Sequence, residues 1–197
     1  MLNVFVLLLA AVVLGYYGFM VHKVKFNTRI LVMIGLMCAV AFILNSIKIY
    51  SWPQGGSVSL CSMLPIFLLS FMYGPAVGMT GGLVLGFLSL LNGFDIIHPA
   101  QFLLDYFLPY MLLGIAGIWG YSSKFKVLLG SVLAVLLSVG CQVLSGVIFY
   151  YMYAPEGVNL WWYSLTVNFS TNGVEGLMSI IVLMCLPIGV LVQKVKR

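Results

Sequence analysis

The chain has 197 residues, of which 63% are apolar and only 7% charged, with nine Lys/Arg against four Asp/Glu and a net charge of +5. Soluble globular chains carry about 25% charged residues, so this one lacks the charge to coat a water-facing surface. That excludes a soluble enzyme and a nucleic-acid binder. At about 20 apolar residues per crossing, the length allows about six or seven membrane helices with short loops and no soluble domain.

The first apolar run, at about 2–20, ends before His22, Lys23 and Lys25. A secretory signal carries its positive charge ahead of the apolar stretch. Here Met1-Leu2-Asn3 is uncharged and the basic cluster follows, so the run reads as a retained helix with its N-terminus outside. Further runs follow at about 30–49, 59–73, 76–92, 100–119, 127–152 and 168–191. Between them stand turn and helix-end signals: Trp52-Pro53-Gln54-Gly55-Gly56, Gly74-Pro75, Asn92-Gly93, His98-Pro99, Tyr121-Ser122-Ser123 and Ala154-Pro155-Glu156-Gly157. Backbone inside lipid must satisfy its own hydrogen bonds, so the runs are expected to be helices. The alternation of a membrane barrel is absent. Pro65 and Pro109 fall within runs and are expected to kink them.

The charges sort by side. Lys23, Lys25 and Arg29 follow the first run, Lys124 and Lys126 the fifth, and Lys194, Lys196 and Arg197 close the chain. With seven crossings these clusters share one face, which the positive-inside rule makes cytoplasmic. Lys48, Asp95, Glu156, the Trp52 loop, His98-Pro99 and Trp161-Trp162-Tyr163 fall to the other face. Trp161 and Trp162 read as members of an interfacial aromatic belt.

Gly78, Gly82 and Gly86 recur every four residues, and Gly114 and Gly117 recur in the next run. Small residues at this spacing let helices approach closely, so packing within the bundle is expected. Gly35-x-x-x-Ala39, extended by Ala41, makes a similar smooth face that can pack internally or dock a partner subunit; the residues alone favour internal packing. Cys38, Cys61, Cys141 and Cys185 stand in no metal-ligand spacing and read as small buried residues. There is no phosphate-binding G-x-x-x-x-G-K-[S/T], G-x-S-x-G or H-E-x-x-H, so the chain has no visible means of hydrolysing ATP, and energy for any uphill transport would come from elsewhere.

The intramembrane polar residues carry the functional argument. Asp105 lies in Phe102-Leu103-Leu104-Asp105-Tyr106-Phe107, about a turn and a half into its run. A carboxylate at mid-bilayer costs roughly 2.5–3.5 kcal/mol on insertion scales, so it is expected to face a cavity or partner. Glu175 sits either early in the last run or at the interface. Gln142 and Asn168 are ligands or interhelical hydrogen-bond partners, and His98 reads as a helix cap. Aromatic faces near a carboxylate suit a flat cation. Lys48 is the only basic group of the outer face. The residues therefore lean toward a neutral or cationic aromatic ligand arriving from outside.

At this point the sequence resembles a known family. Trp52-Pro53-Gln54-Gly55-Gly56-Ser57-Val58-Ser59 with Met63-Leu64-Pro65-Ile66 is similar to the thiamine-specific S components (ThiT) of energy-coupling factor (ECF) transporters. So are His98-Pro99-Ala100-Gln101 leading into Leu104-Asp105-Tyr106, and Ser145 to Phe149 followed by Tyr153-Ala154-Pro155-Glu156-Gly157, Tyr163-Ser164-Leu165 and Asn168. The resemblance covers about residues 28–192.

The resemblance implies an all-α membrane protein, a six-helix S-component-like bundle (28–197) behind one extra N-terminal transmembrane helix and basic loop (1–27). It implies capture of thiamine from outside, no catalysis and no cofactor, and assembly with a transmembrane coupling subunit and two cytoplasmic ATPase subunits. By the same resemblance Trp52 helps cover the ligand, Asp105 and Tyr106 contact it, and Tyr150 stacks on its pyrimidine. Gln142, Tyr163 and Asn168 supply polar contacts, while Gly35 and Ala39 face the coupling subunit. Two positions depart from the family: it commonly has His where Gln142 stands and Trp where Tyr150 stands. An S component for another vitamin or a thiamine precursor remains an alternative, as does a stand-alone transporter with Asp105 or Glu175 as proton site.

Overall fold

The computed structural model describes residues 2–52, 56–93 and 96–196. Asp95, Arg197 and the Pro53-Gln54-Gly55 part of the Trp52 loop lie outside them. The chain begins with α1 (Leu2–Val21) and α2 (Thr28–Ser46), then a short hairpin of β1 (Lys48–Ser51) and β2 (Ser57–Ser59). α3 (Leu64–Tyr73) and α4 (Pro75–Ser89) follow. Next comes a continuous rod built from α5 (Pro99–Phe102), a π-helical turn (Leu103–Phe107), α6 (Leu108–Leu113) and a 3-10 segment (Gly114–Trp119). α7 (Lys124–Phe149) precedes a second composite rod of α8 (Leu160–Asn168), a π-helical turn (Phe169–Gly173) and α9 (Val174–Cys185), and α10 (Ile188–Lys196) ends the chain. Among the described residues five helices are long and apolar enough to cross a membrane.

Three expectations about element boundaries are corrected. The run at 59–73 is not one helix. It is β2, a turn and the ten-residue α3, which at 1.5 Å per residue is about 15 Å long. Non-helical backbone is tolerated at membrane depth where it is buried in protein or lines a cavity, and here Val58, Ser59, Cys61, Ser62 and Met63 are buried. Pro65 consequently opens α3 rather than kinking a span, in the first turn where its missing N–H costs nothing. The last crossing starts eight residues earlier than hydropathy suggests, at Leu160. Asn159 caps it, its Oδ1 accepting from the backbone N–H of Trp161 at 2.9 Å. Trp161 and Trp162 thus stand exposed in the first turn of α8.

The glycine rows do what their spacing suggests. A Cβ on Gly78 would lie 2.7 Å from the carbonyl oxygen of Gly114, and one on Gly82 or Gly86 would collide with the carbonyls of Tyr110 or Tyr106. α4 is therefore in backbone contact with the rod that carries Asp105. Ser70 of α3 stitches the lower end of this packing: its hydroxyl donates to the Gly114 carbonyl and accepts the Gly117 N–H at 2.8 Å. α1 adds to the outside of α4 through buried Val6 and Ala10 and a 3.0 Å hydrogen bond between the hydroxyls of Tyr17 and Thr80.

The Gly35–Ala39 face behaves differently. Both residues are exposed, no atom lies within 4 Å of a Cβ built on Gly35, and Leu31, Leu36 and Ile43 on the same helix are more than half exposed. Internal packing, the reading the residues alone favour, is overturned for Gly35 and Ala39, while Ala41 is fully buried. Small residues permit a close approach, but at Gly35 and Ala39 no element among the described residues takes it up.

Gly82→Ala is expected to destabilise the fold by about 1–3 kcal/mol, as over-packing does, seen as a lower Tm in detergent. Gly35→Ala, with open space at its Cβ in the interior of α2, should be neutral or stabilising by up to about 1 kcal/mol. Equal Tm values for the two variants would contradict this packing.

Candidate functional site

A cavity of about 570 Å³ opens between α2, the hairpin and both composite rods, with α7 forming its far wall. That volume lies within the roughly 300–1,000 Å³ typical of small-molecule sites. Six of the seven residues expected to bind ligand line it: Asp105, Tyr106, Gln142, Tyr150, Tyr163 and Asn168. They come from three separate helical elements, so the tertiary fold brings them together. Trp52 does not line the cavity. Its ring packs edge-on against Tyr50, centroids 5.3 Å apart, and its backbone N–H donates to the Gly56 carbonyl at 3.0 Å. Gly56, Ser57 and Ser59, on the same hairpin, do line the cavity.

Asp105 is aimed by its local backbone. Pro109 lacks the N–H that would bond the carbonyl of Asp105 in a regular α-helix, and the chain widens into the π-helical turn Leu103–Phe107 at this point. Such turns rotate the following residues and recur at functional sites. The carboxylate is then held by Gln101, one helical turn earlier and fully buried. The Gln101 Nε2 donates to Asp105 Oδ2 at 2.7 Å and to the Tyr150 hydroxyl oxygen at 2.8 Å. Its Oε1 accepts the Ile97 backbone N–H at 3.1 Å. One amide therefore ties the acid of one rod to the aromatic residue at the end of α7. His98 caps the start of this rod, its Nδ1 accepting from the Ala100 N–H at 3.1 Å, and its ring stacks on Phe149. The capping reading of His98 holds.

On the second rod, the Asn168 amide donates to the Ser164 carbonyl at 2.9 Å and, at 3.4 Å, to the Gln142 carbonyl. The Gln142 side-chain oxygen is itself buried without a hydrogen-bond partner among the described residues. A buried acceptor left open is uncommon and is available to a donor on a ligand. Gly146 keeps the wall close, because a Cβ there would meet the Ser164 hydroxyl.

Several lining residues carried no signal strong enough to place them from sequence. Asn45 of α2 donates to the Tyr110 hydroxyl at 3.3 Å, and both line the cavity together with Glu175. Glu175 is buried within the protein, being 2% exposed. Gln101 is the one that was findable: it stands four residues before Asp105, the spacing at which helical side chains meet. Among the described residues the lining contains Asp105 and Glu175 but no Lys, Arg or His. Electrostatically the cavity suits a ligand with positive charge, donors for open oxygens and flat rings for the tyrosines. Among the described residues no cluster of three or more metal-ligating side chains occurs.

The comparisons with known proteins agree with one another. The model of the family described as thiamine transporter protein (Thia_YuaJ) matches residues 31–194. The thiamine transporter ThiT of Bacillus subtilis is 37% identical over 171 residues, covering 79% of this chain and 88% of that protein. ThiT of Lacticaseibacillus paracasei is 28% identical over 123 residues, 54% of this chain and 61% of the relative. Among solved structures, ThiT from Listeria monocytogenes superposes with a TM-score of 0.73 at 22% identity, covering 81% of this chain and 94% of that one. The S component of a bacterial ECF transporter gives 0.58 at 21% identity, covering 86% and 98%. At these identities the two structures speak to the fold, which is that of an S component. The family match across 31–194, with the identity to the Bacillus protein along most of both chains, makes this chain a member of the thiamine transporter protein (Thia_YuaJ) family.

Proposed function

We propose that this chain is the membrane subunit that captures thiamine from outside the cell for ATP-driven, ECF-type uptake. The observation that carries the reading is the cavity lining, which among the described residues has two carboxylates and several tyrosines and no cationic side chain. Thiamine is a permanent cation with two flat rings. Asp105 offsets the thiazolium charge, Tyr106, Tyr150 and Tyr163 offer ring faces, and cation–π attraction adds about 0.5–2 kcal/mol where water is excluded. The open Gln142 oxygen accepts from the aminopyrimidine, and Asn168 fixes the wall beside it. Trp52 covers the ligand from the hairpin, a role supported by its neighbours Gly56 and Ser57 at the cavity edge.

Orientation follows from charge. In chain order Lys23, Lys25 and Arg29 fall at the α1–α2 connection, Lys124 and Lys126 at the start of α7, and Lys194 and Lys196 in the terminal helix α10, the set of connections that the positive-inside rule makes cytoplasmic. That sets the C-terminus inside, the N-terminus outside and the hairpin at the outer mouth. Residues 28–197 form the substrate-binding unit, and 1–27 are an addition packed on α4. The exposed Gly35–Ala39 face of α2 is the docking surface for the transmembrane coupling subunit, which carries the two cytoplasmic ATPase subunits. A smooth apolar surface with no partner inside the chain fits helix-to-helix contact in lipid.

Three outcomes test this. Tryptophan-fluorescence titration of the detergent-purified protein should show thiamine binding, and Asp105→Asn should weaken it by about 1.5–3 kcal/mol, the worth of a hydrogen bond to a charged group. Unchanged affinity would remove Asp105 from the site. In competition, thiamine should outcompete its diphosphate, which brings negative charge into a lining without cations. A diphosphate bound tenfold more tightly would refute the preference. Gly35→Leu and Ala39→Leu should spare binding and reduce uptake in vesicles that hold the coupling and ATPase subunits; unimpaired uptake would move the docking surface elsewhere.

A further inference from the structure

The reading above counts Glu175 among the two carboxylates of the lining but gives it no role of its own. It is almost fully buried, lines the cavity, and follows directly on the π-helical turn Phe169–Gly173, just as Asp105 sits within the other π-helical turn. Its Oε1 accepts the Ser62 backbone N–H at 2.9 Å and also the Ser62 hydroxyl. Its second oxygen has no hydrogen-bond partner among the described residues.

The chain goes to some length to make this contact. Cys61, between β2 and α3, has φ +54°, a left-handed conformation that non-glycine residues adopt rarely. The bend aims Ser62 at a carboxylate 113 residues away in sequence. A purely structural acceptor for Ser62 would need no charge, and an amide would serve. A carboxylate in this position, with no Lys, Arg or His among the described lining residues, asks for a positive charge that this lining does not supply. Unpaired buried charge is retained where something pairs it.

We propose that Glu175 is a charge-selecting residue of the cavity. Its free oxygen faces the cationic part of the ligand, adds to the pull of Asp105, and turns away ligands that carry a phosphate. The inference rests on the thiamine reading and deepens it, naming a second determinant of specificity on a different helix from the first.

The test uses the full chain in detergent, with thiamine, thiamine monophosphate and the neutral aminopyrimidine half of thiamine as probes. Gln keeps the acceptor for both Ser62 bonds, so Glu175→Gln should fold. It should weaken thiamine at least about tenfold, the scale of a lost contact to a charged group. It should leave the neutral pyrimidine nearly unchanged and narrow the gap between thiamine and its monophosphate. Glu175→Asp, which withdraws the charge by one methylene, should lower thiamine affinity by a smaller factor and again spare the pyrimidine. Equal loss for charged and neutral probes in either variant would reduce Glu175 to a latch for Ser62 and overturn the proposal. So would an unaltered thiamine affinity in Glu175→Gln. A parent protein that does not bind thiamine would overturn the thiamine reading and this inference together, whereas a binding parent with an indifferent Glu175→Gln overturns the inference alone.

Discussion

The glycine row of α4 sets how near one helix comes to another, and the site is built outward from that contact. With Gly78, Gly82 and Gly86 reduced to bare backbone, α4 lies against the carbonyls of Gly114, Tyr110 and Tyr106. The last of these is the residue beside Asp105, so this close helix-to-helix approach ends where the cavity begins. In lipid there is little hydrophobic gain in bringing helices together, and close backbone packing takes over that role. A rod pinned this firmly along one face can carry a π-helical turn without losing its direction. It can also present a carboxylate to the opposite side.

The two composite rods follow one design. Each starts at a capped N-terminus, with His98 and Asn159 as the caps, runs a short way as α-helix, widens into a π-helical turn, and continues as α-helix. Each delivers a carboxylate to the same cavity. Each acid is then held by a polar group from its surroundings: Gln101 for Asp105 and Ser62 for Glu175. The cost of charge within a bilayer makes such support necessary. Because every one of these supports is neutral, the negative charge is not cancelled and stays available to a cationic ligand.

What could be read early was what stands out against an apolar background. Asp105, Gln142 and Asn168 are polar residues inside hydrophobic runs, and the expense of burying them marks them. Glu175 was harder because its depth depends on where its helix begins. Hydropathy starts that helix at 168, while the structure starts it at Leu160. The polar content of Tyr163-Ser164 to Asn168, which faces the cavity, hid the first two turns. The hairpin and the shortness of α3 were missed for a related reason, since apolar composition does not distinguish a buried turn from a helix. Gln101 was passed over because it stands near the end of a run, where polar residues are ordinary.

Composition and charge alone determined that this is a membrane protein, that its basic residues cluster at one set of loops, and that Asp105 must face something other than lipid. Those conclusions rest on transfer energies, which belong to residues one at a time. Which faces meet is a property of pairs distant in sequence, and only the tertiary structure decided it. Gly78-x-x-x-Gly82 and Gly35-x-x-x-Ala39 are the same kind of motif, yet the first is locked against a neighbouring backbone and the second stands open. Ser62 meets Glu175 across 113 residues, and Gln101 meets Tyr150 across 49. Small-residue spacing permits an approach without naming the partner, and a buried carboxylate calls for a donor without saying where in the chain it will come from.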